Sequence, residues 1–209
     1  MENKMKKFEL VAEMTKEFFG KKLFRIRALI SFGDVEKGDL GGWIEKEESL
    51  DQSGNAWVSG NARVYGDARV SGNARVSGNA WVSGDAWVYG DARVSGNARV
   101  YGNAWVSGDA WVSGDARVSG NAWVSGDAWV SGNAHFITIG PIGSENGMLT
   151  AFRQRDNSIV VCRGCFSGTI DEFESAVNER HSDSVDGQIY RALIPVIKMR
   201  LADVETEAK

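Results

Sequence analysis

Few residues in this sequence can do acid–base or metal chemistry. It contains two histidines, His135 and His181, and two cysteines, in the segment Cys162-Arg163-Gly164-Cys165. A zinc site with this spacing needs a second pair of ligands. A redox-active pair usually has its first cysteine at the start of a helix, whereas this pair follows a predicted strand. We therefore interpret both cysteines as structural and predict no metal and no cofactor.

Tryptophan and arginine recur at one position of a six-residue repeat. Residues 54–137 form fourteen consecutive repeats of Gly-Asn/Asp-Ala-Trp/Arg-Val-Ser/Tyr without an insertion, and only the last one departs from the pattern, with His135, Phe136 and Ile137 in its final three positions. A period of six fits neither an α-helix nor a single alternating strand. It predicts strands of about three residues joined by corners and wound into a triangular coil, with three repeats in each coil. Valine then points inward and alanine fills the corner. Glycine and the neighbouring Asn or Asp form the turn, because these types tolerate positive φ.

Stacked coils place every third repeat in register, so the outward Trp or Arg positions form three columns. The first column consists of Trp57, Arg75, Arg93, Trp111 and Trp129. The second consists of Arg63, Trp81, Arg99, Arg117 and His135. The third consists of Arg69, Trp87, Trp105 and Trp123. Neighbours in a column are about 4.8 Å apart, which lets their planar groups stack.

Two interpretations of these columns are open. In one, Arg–Trp stacking only stiffens the coil. In the other, the three adjacent tryptophans of the third column form an exposed apolar patch, which is typical of an interface. The candidate binding residues are Trp87, Trp105, Trp123, Arg69, Trp111, Trp129, Arg75 and Arg93.

The charge balance limits the kind of partner. The chain has 24 Lys and Arg against 28 Asp and Glu, a net charge of −4, and the six arginines of the repeats are matched by six aspartates. Binding of polymeric nucleic acid calls for a basic excess. We therefore expect a protein or a small nucleotide as the partner. A homo-oligomer, dimer or trimer, is the competing use of the same surface.

The Asn and Asp corners also stack, one column being Asn55, Asn73, Asp91, Asp109 and Asp127. Stacked carboxylates could attract a cation. Asx turns, in which each side chain bonds its own backbone, are the favoured interpretation.

The flanks predict a cap at each end. Residues 1–53 form a β-rich N-terminal cap with a strand at Leu23–Phe32. Ile44 and Leu50 lie twelve and six residues before Ala56, which places them in phase with the alanine corner, and we interpret them as a degenerate first coil. Residues 138–209 form a ββαα domain. Its hairpin joins residues 148–154 and 158–161.

Two helices follow that hairpin. Thr169 and Glu172 have the spacing of a capping box, followed by Ile170, Phe173, Ala176 and Val177 on one face. The second helix carries Ile189, Leu193, Ile194 and Ile197 on its buried face and bends near Pro195.

Nothing in the sequence predicts secretion or contact with a membrane. The N-terminus lacks the apolar segment of a signal peptide, and no run of 18 apolar residues occurs. We expect a cytoplasmic protein.

The repeat Val-Ser-Gly-Asn-Ala-Arg resembles the hexapeptide repeat of the bacterial transferase superfamily. The resemblance implies a left-handed parallel β-helix. With fourteen repeats at three to a coil and the caps predicted above, we expect a mostly β protein of about five coils with a β-rich N-terminal cap and a small α+β C-terminal cap. It also implies side-by-side trimers and, in the acyltransferases of that superfamily, a histidine general base, for which His135 is the candidate here. The superfamily's carbonic anhydrases use three zinc-binding histidines, which this chain cannot supply.

The flanks resemble uncharacterised hexapeptide-repeat proteins of phages and prophages. The matching segments are Arg25-Ile26-Arg27-Ala28-Leu29, Gly38-Asp39-Leu40-Gly41-Gly42-Trp43-Ile44, Ile139-Gly140-Pro141-Ile142-Gly143-Ser144 and Gly164-Cys165-Phe166-Ser167-Gly168-Thr169. That group has no established activity, so the resemblance indicates origin only. Together with the small size, the mild acidity and the Trp/Arg columns, it suggests a non-enzymatic accessory protein that engages a bacterial host component in the host cytoplasm, such as an inhibitor of a defence system of the anti-CRISPR type. A structural or assembly protein of a phage particle and an acyltransferase are the alternatives.

Overall fold

The computed structural model describes residues 6–202 and shows a β-solenoid of about five turns with further structure at each end. Residues 1–5 and 203–209, which belong to the two predicted caps, lie outside the described range. The N-terminal region contains β1 (Phe8–Phe18), β2 (Lys21–Ala28) and β3 (Leu40–Ile44), followed by a 3-10 helix at Glu47–Ser49.

The solenoid consists of thirteen two-residue strands, one in each of the first thirteen hexads. In chain order they are β4 (Trp57–Val58), β5 (Arg63–Val64), β6 (Arg69–Val70), β7 (Arg75–Val76), β8 (Trp81–Val82), β9 (Trp87–Val88), β10 (Arg93–Val94), β11 (Arg99–Val100), β12 (Trp105–Val106), β13 (Trp111–Val112), β14 (Arg117–Val118), β15 (Trp123–Val124) and β16 (Trp129–Val130).

Each of these strands, apart from the last three, pairs in parallel with the strand one coil further along. Trp105, for example, pairs with Trp123, and Arg93 pairs with Trp111. The pairing produces three faces, with strand orders β4-β7-β10-β13-β16, β6-β9-β12-β15 and β1-β2-β3-β5-β8-β11-β14. The predicted coil of three repeats is therefore confirmed.

The inward and corner positions explain why the repeat tolerates so little variation. Every hexad alanine and valine from Ala56 to Val130 has at most 1% of its surface exposed. The glycines of these hexads all adopt positive φ, whereas the Asn and Asp residues beside them do not. The asparagine side chains bond across coils, as in the 3.1 Å bond from Asn55 Nδ2 to Asn73 Oδ1. The prediction of Asx turns closed on their own backbone is thus corrected.

Ile44 and Leu50 belong to the first coil, but in a different phase from the predicted one. Ile44 pairs with Val64, and Leu50 bridges Val70, so both occupy the valine position and not the alanine corner. The offset is twenty residues in each pair, two more than in the repeats. The two additional residues fall between Leu50 and the first hexad, where the chain leaves the cap.

Lys7 closes the N-terminal end of the solenoid core. It is 2% exposed, and its Nζ donates to the carbonyl oxygens of Ala56 at 3.0 Å and Ser53 at 3.2 Å. The ammonium also lies 5.0 Å from the centre of the Phe32 ring. Burial lowers the pKa of Lys7 from 10.5 to about 8.

The C-terminal region has two more strands than predicted. The strands β17 (Phe136–Ile142), β18 (Gly147–Arg153), β19 (Ile159–Arg163) and β20 (Phe166–Thr169) form an antiparallel sheet in that order. The predicted hairpin corresponds to β18 and β19. Sequence reasoning missed β17 because it starts inside the fourteenth hexad, where Phe136 pairs with Phe152.

Both predicted helices are present, as α1 (Ile170–His181) and α2 (Val185–Arg200). The capping box at Thr169 and Glu172 is confirmed. Helix α2 continues through Pro195 and buries Ile194 and Ile197, but Ile189, predicted to face the core, is 40% exposed. Neither helix in residues 6–202 has the length and apolar character needed to cross a bilayer.

The glycine column yields a prediction with an internal control. Gly108 (φ +66°) and Gly120 (φ +67°) share one backbone conformation. A Cβ added at Gly108 would lie 2.8 Å from the backbone nitrogen of Gly126, whereas a Cβ added at Gly120 would have no other heavy atom within 4 Å. Gly120→Ala should cost about 1–2 kcal/mol for the backbone conformation alone. Gly108→Ala should cost a further 1–3 kcal/mol, approximately, for the overlap. Urea unfolding of both variants measures the difference, and equal losses would contradict close stacking of the coils.

The burial of Lys7 yields a prediction about pH. The pKa of Lys7 is about 8 in the folded chain, against 10.5 for a lysine in water, the value taken for the unfolded chain. Between pH 8 and 10.5 the unfolded chain therefore binds more protons than the folded one, and the free energy of unfolding rises with pH. We expect the free energy of unfolding of the wild type, relative to Lys7→Met, to increase between pH 8 and 10.5. Lys37→Met, at an exposed lysine, controls for the loss of one charge. A difference independent of pH would contradict the burial.

Candidate binding surface

The third column forms a continuous exposed row, which we call the tryptophan row: Arg69, Trp87, Trp105 and Trp123. The exposed fractions of its three tryptophans are 41%, 43% and 39%. Trp87 and Trp105 stack with ring centres 5.6 Å apart and planes 10° from parallel, and Trp105 meets Trp123 edge-on at 6.2 Å. The guanidinium of Arg69 lies 5.6 Å from the Trp87 ring. Strand pairing alone creates this row, since every member is the outward residue of a strand in one sheet.

The second column is an Arg–Trp ladder covered by the N-terminal hairpin, in which β1 and β2 pair antiparallel. Trp81 lies between Arg63 at 5.5 Å and Arg99 at 4.3 Å. Phe18, at the tip of the hairpin, packs edge-on against Trp81 at 4.8 Å and also contacts Arg63. Trp43, in β3, pairs with Arg63 and extends the ladder by one coil. On this face arginine and tryptophan side chains of successive coils stack on one another, as expected if Arg–Trp stacking stiffens the coil.

The first column is partly covered at both ends. Trp57 is 4% exposed and packs against Phe8 and Phe32. Arg75 forms an ion pair with Asp34 of the N-terminal cap. At the other end, the ring of Trp129 lies 6.1 Å from that of His135.

The middle of the first column is open. Arg93 is exposed, and Trp111 is 39% exposed, with its Nε1 donating to Ser95 Oγ at 3.3 Å. The eight candidate binding residues therefore lie on two faces. One face holds the tryptophan row, and the other holds Arg75, Arg93, Trp111 and Trp129.

A groove lies at each end of the tryptophan row. The groove at the N-terminal end has a volume of about 530 Å³ and is lined by Arg69 and Trp87 together with Glu47, Glu48 and Asp51 of the cap. The groove at the other end, about 550 Å³, is lined by Trp123 and by residues of the C-terminal sheet. We call the tryptophan row together with its two grooves the trough.

The N-terminal end of the trough is rich in carboxylates. Glu47 pairs with Lys6 at 2.8 Å, and Lys46 donates to Asp67 Oδ1 at 2.6 Å. The hydrogen bond from Lys46 holds the pKa of the Asp67 carboxyl below its ordinary value. The groove itself is lined by the carboxylates of Glu47, Glu48 and Asp51 against the one guanidinium of Arg69, so this end of the trough suits a cationic group on a ligand.

His135 does not occupy the outward slot predicted for it. It ends a 3-10 helix at Asn133–His135 and is 9% exposed, because the chain leaves the coil here to begin β17. Its Nδ1 lies 3.0 Å from Ser131 Oγ, and burial lowers its pKa. A buried imidazole in a turn is poorly placed to take a proton from a bound substrate.

The two cysteines are free thiols in different environments. Cys162 is buried in β19, where its Sγ lies 3.4 Å from Ser167 Oγ and burial raises the pKa of its thiol. Cys165 is exposed in the turn that follows. Within residues 6–202, no three His, Cys, Asp or Glu side chains are grouped as metal ligands would be.

Sequence reasoning missed the parts of the caps that border the trough. Glu47, Glu48 and Asp51 lie around Leu50, in a segment whose six-residue spacing was recognised but assigned to the wrong phase, so their position could not be deduced. Trp43 carried a usable signal, since the bulky residue before Ile44 matches the Arg/Trp-Val pair of each hexad once the offset of twenty residues is known.

A comparison with protein families supports the solenoid. The model described as YdcK Beta solenoid repeat matches residues 56–72, 68–84, 74–90, 92–108, 98–114, 110–126 and 116–132. A search of curated proteins finds no match to the chain. Residues 56–132 are thus a repeat β-solenoid by sequence as well as by structure. The resemblances to the hexapeptide transferases and to phage proteins stay predictions.

Proposed function

We propose that this protein is a non-enzymatic binding protein whose tryptophan row receives a segment of a partner protein. The observation that carries the proposal is the row itself, in which three adjacent tryptophans each keep about 40% of their surface exposed while the other columns are partly covered by the caps. Exposed apolar patches of this kind mark interaction sites, and tryptophan and arginine dominate the binding energy of many interfaces.

The charges along the trough favour a protein segment over a nucleic acid. Three carboxylates, those of Glu47, Glu48 and Asp51, line the groove next to Arg69. They would repel a phosphate backbone but attract a lysine or arginine. A partner segment with apolar or aromatic side chains and a basic residue at one end therefore matches the trough. A small nucleotide would have to bind away from these carboxylates.

The partner is proposed to be a component of a bacterial host. This part of the proposal derives from the resemblance of the flanking segments to phage and prophage proteins. In its specific form, the protein inhibits a bacterial defence system in the host cytoplasm, as anti-CRISPR proteins do, by occupying a surface that the defence protein needs. The position of His135, buried within a turn, favours this binding role over acyl transfer.

Removal of the tryptophan row provides the test. Tagged wild-type protein and a Trp87→Ala/Trp105→Ala/Trp123→Ala variant are used as bait in a bacterial lysate, and the captured protein is identified and purified. Its dissociation constant is then measured with both baits by calorimetry. Since truncation of one hot-spot tryptophan costs about 2 kcal/mol or more, we expect the triple variant to bind at least about 100-fold more weakly.

A double variant on the other open face, Arg93→Ala/Trp111→Ala, is the matched control and should bind within about threefold of the wild type. Circular dichroism of all three proteins checks that the solenoid is intact. Unchanged affinity of the triple variant, or an equal loss in the control, would overturn the proposal.

A further inference from the structure

Helix α2 has a second apolar face, which no described residue covers. Its first face, with Tyr190, Ile194 and Ile197, is buried against the C-terminal domain. On the other side, Val185 and Met199 are 72% and 74% exposed. Ile189 and Val196 are 40% and 44% exposed, and Ala192 is exposed between them.

The spacing of the exposed face is that of a helix-pairing seam. Its members are Val185, Ile189, Ala192, Val196 and Met199, so successive members are separated by four, three, four and three residues. This alternation of four and three places residues on one line along a helix and is the pattern of the apolar positions in coiled coils. It extends over the whole length of α2, which spans sixteen residues. A seam of this kind is complementary to another helix with the same spacing.

The order of residues along the seam is suited to an antiparallel pair. If Ala192 is placed opposite Ala192 of a second copy, Val185 meets the Met199 position of that copy and Ile189 meets its Val196 position. The small alanine lies at the centre, where the two helix axes approach each other, and the larger side chains lie on either side.

The charges beside the seam favour the same orientation. Asp186 follows the first seam residue and Arg200 follows the last, so both lie on the same flank of the helix. In an antiparallel pair the equivalent flanks of the two helices face each other, so each aspartate faces an arginine of the other copy, whereas in a parallel pair these flanks lie on opposite sides of the contact and the pairing is lost. Arg200 donates to the Asn133 carbonyl at 2.7 Å, but a guanidinium has five N–H donors and keeps others for a carboxylate.

We infer that two copies of this chain associate through α2, antiparallel, about a two-fold axis that passes beside Ala192. The contact lies on the C-terminal domain and is independent of the tryptophan row. One pair of short helices buries less than the roughly 800 Å² per partner of a typical stable complex. The dimer is therefore expected to be weak, with a dissociation constant in the micromolar range, on the order of 10 µM.

Sedimentation equilibrium of the full chain from about 1 to 200 µM tests the inference, since this range brackets the expected constant. The wild type should fit a monomer–dimer equilibrium. Ile189→Glu should raise the dissociation constant at least tenfold. The Trp87→Ala/Trp105→Ala/Trp123→Ala variant should dimerise like the wild type. A monomer at all concentrations, or loss of the dimer only in the tryptophan variant, would overturn the inference.

A charge exchange tests the orientation. Asp186→Arg alone and Arg200→Asp alone should each weaken the dimer, because like charges would then face each other, and Asp186→Arg/Arg200→Asp together should restore it to within about threefold of the wild type. All substituted positions lie on the helix surface, and circular dichroism of each variant checks the fold. A double variant as weak as the single ones would overturn the antiparallel arrangement.

Discussion

The backbone ladder between coils is the constraint on which the rest of the structure depends. The amide of Arg99 donates to the carbonyl of Ala116 at 2.9 Å, that of Trp105 to Ala122 at 2.9 Å, and the same bond recurs around every coil. Such a ladder requires a constant number of residues in each turn. The conformation of the corner and the close spacing of the coils then require glycine, and the narrow width of the core requires alanine and valine at the inward positions. The outward position contributes to none of these, and it is the position where the repeats differ in size and charge.

The caps determine which outward residues remain accessible. At the N-terminal end, β3 continues one sheet of the solenoid, Lys7 donates to carbonyls of the first corner, and the hairpin tip covers Trp81. At the other end, Arg155 donates to the Asp109 carbonyl at 2.8 Å, and Thr150 Oγ1 accepts from the amide of Trp123 at 3.2 Å. These contacts satisfy strand edges that would otherwise attract other chains. They also leave the tryptophan row open between the two ends.

The repeats could be predicted from the sequence because every coil poses the same packing problem. The column containing Trp87, Trp105 and Trp123 required only the period and the number of repeats in a coil. The ends had no such redundancy. The phase predicted for Ile44 was wrong because the first coil has two additional residues. The outward position predicted for His135 was wrong because Phe136 pairs with Phe152 and does not continue the coil. Ile189 was assigned to the core because α2 is apolar on two faces, and helical periodicity alone cannot tell which face is buried.

The most direct test of this account is disulfide formation between outward positions one coil apart. Both variants are made in a Cys165→Ser background, in which the remaining native cysteine, Cys162, is buried. Arg93→Cys/Trp111→Cys places cysteines at two positions that pair directly. Arg93→Cys/Trp105→Cys places them on different faces. Cysteines with Cα atoms about 4.4–6.8 Å apart can be bridged. Under mild oxidation, thiol titration should show rapid, intramolecular closure of the first pair and none of the second. Equal closure of both pairs, or closure of the second alone, would contradict a coil of three hexads.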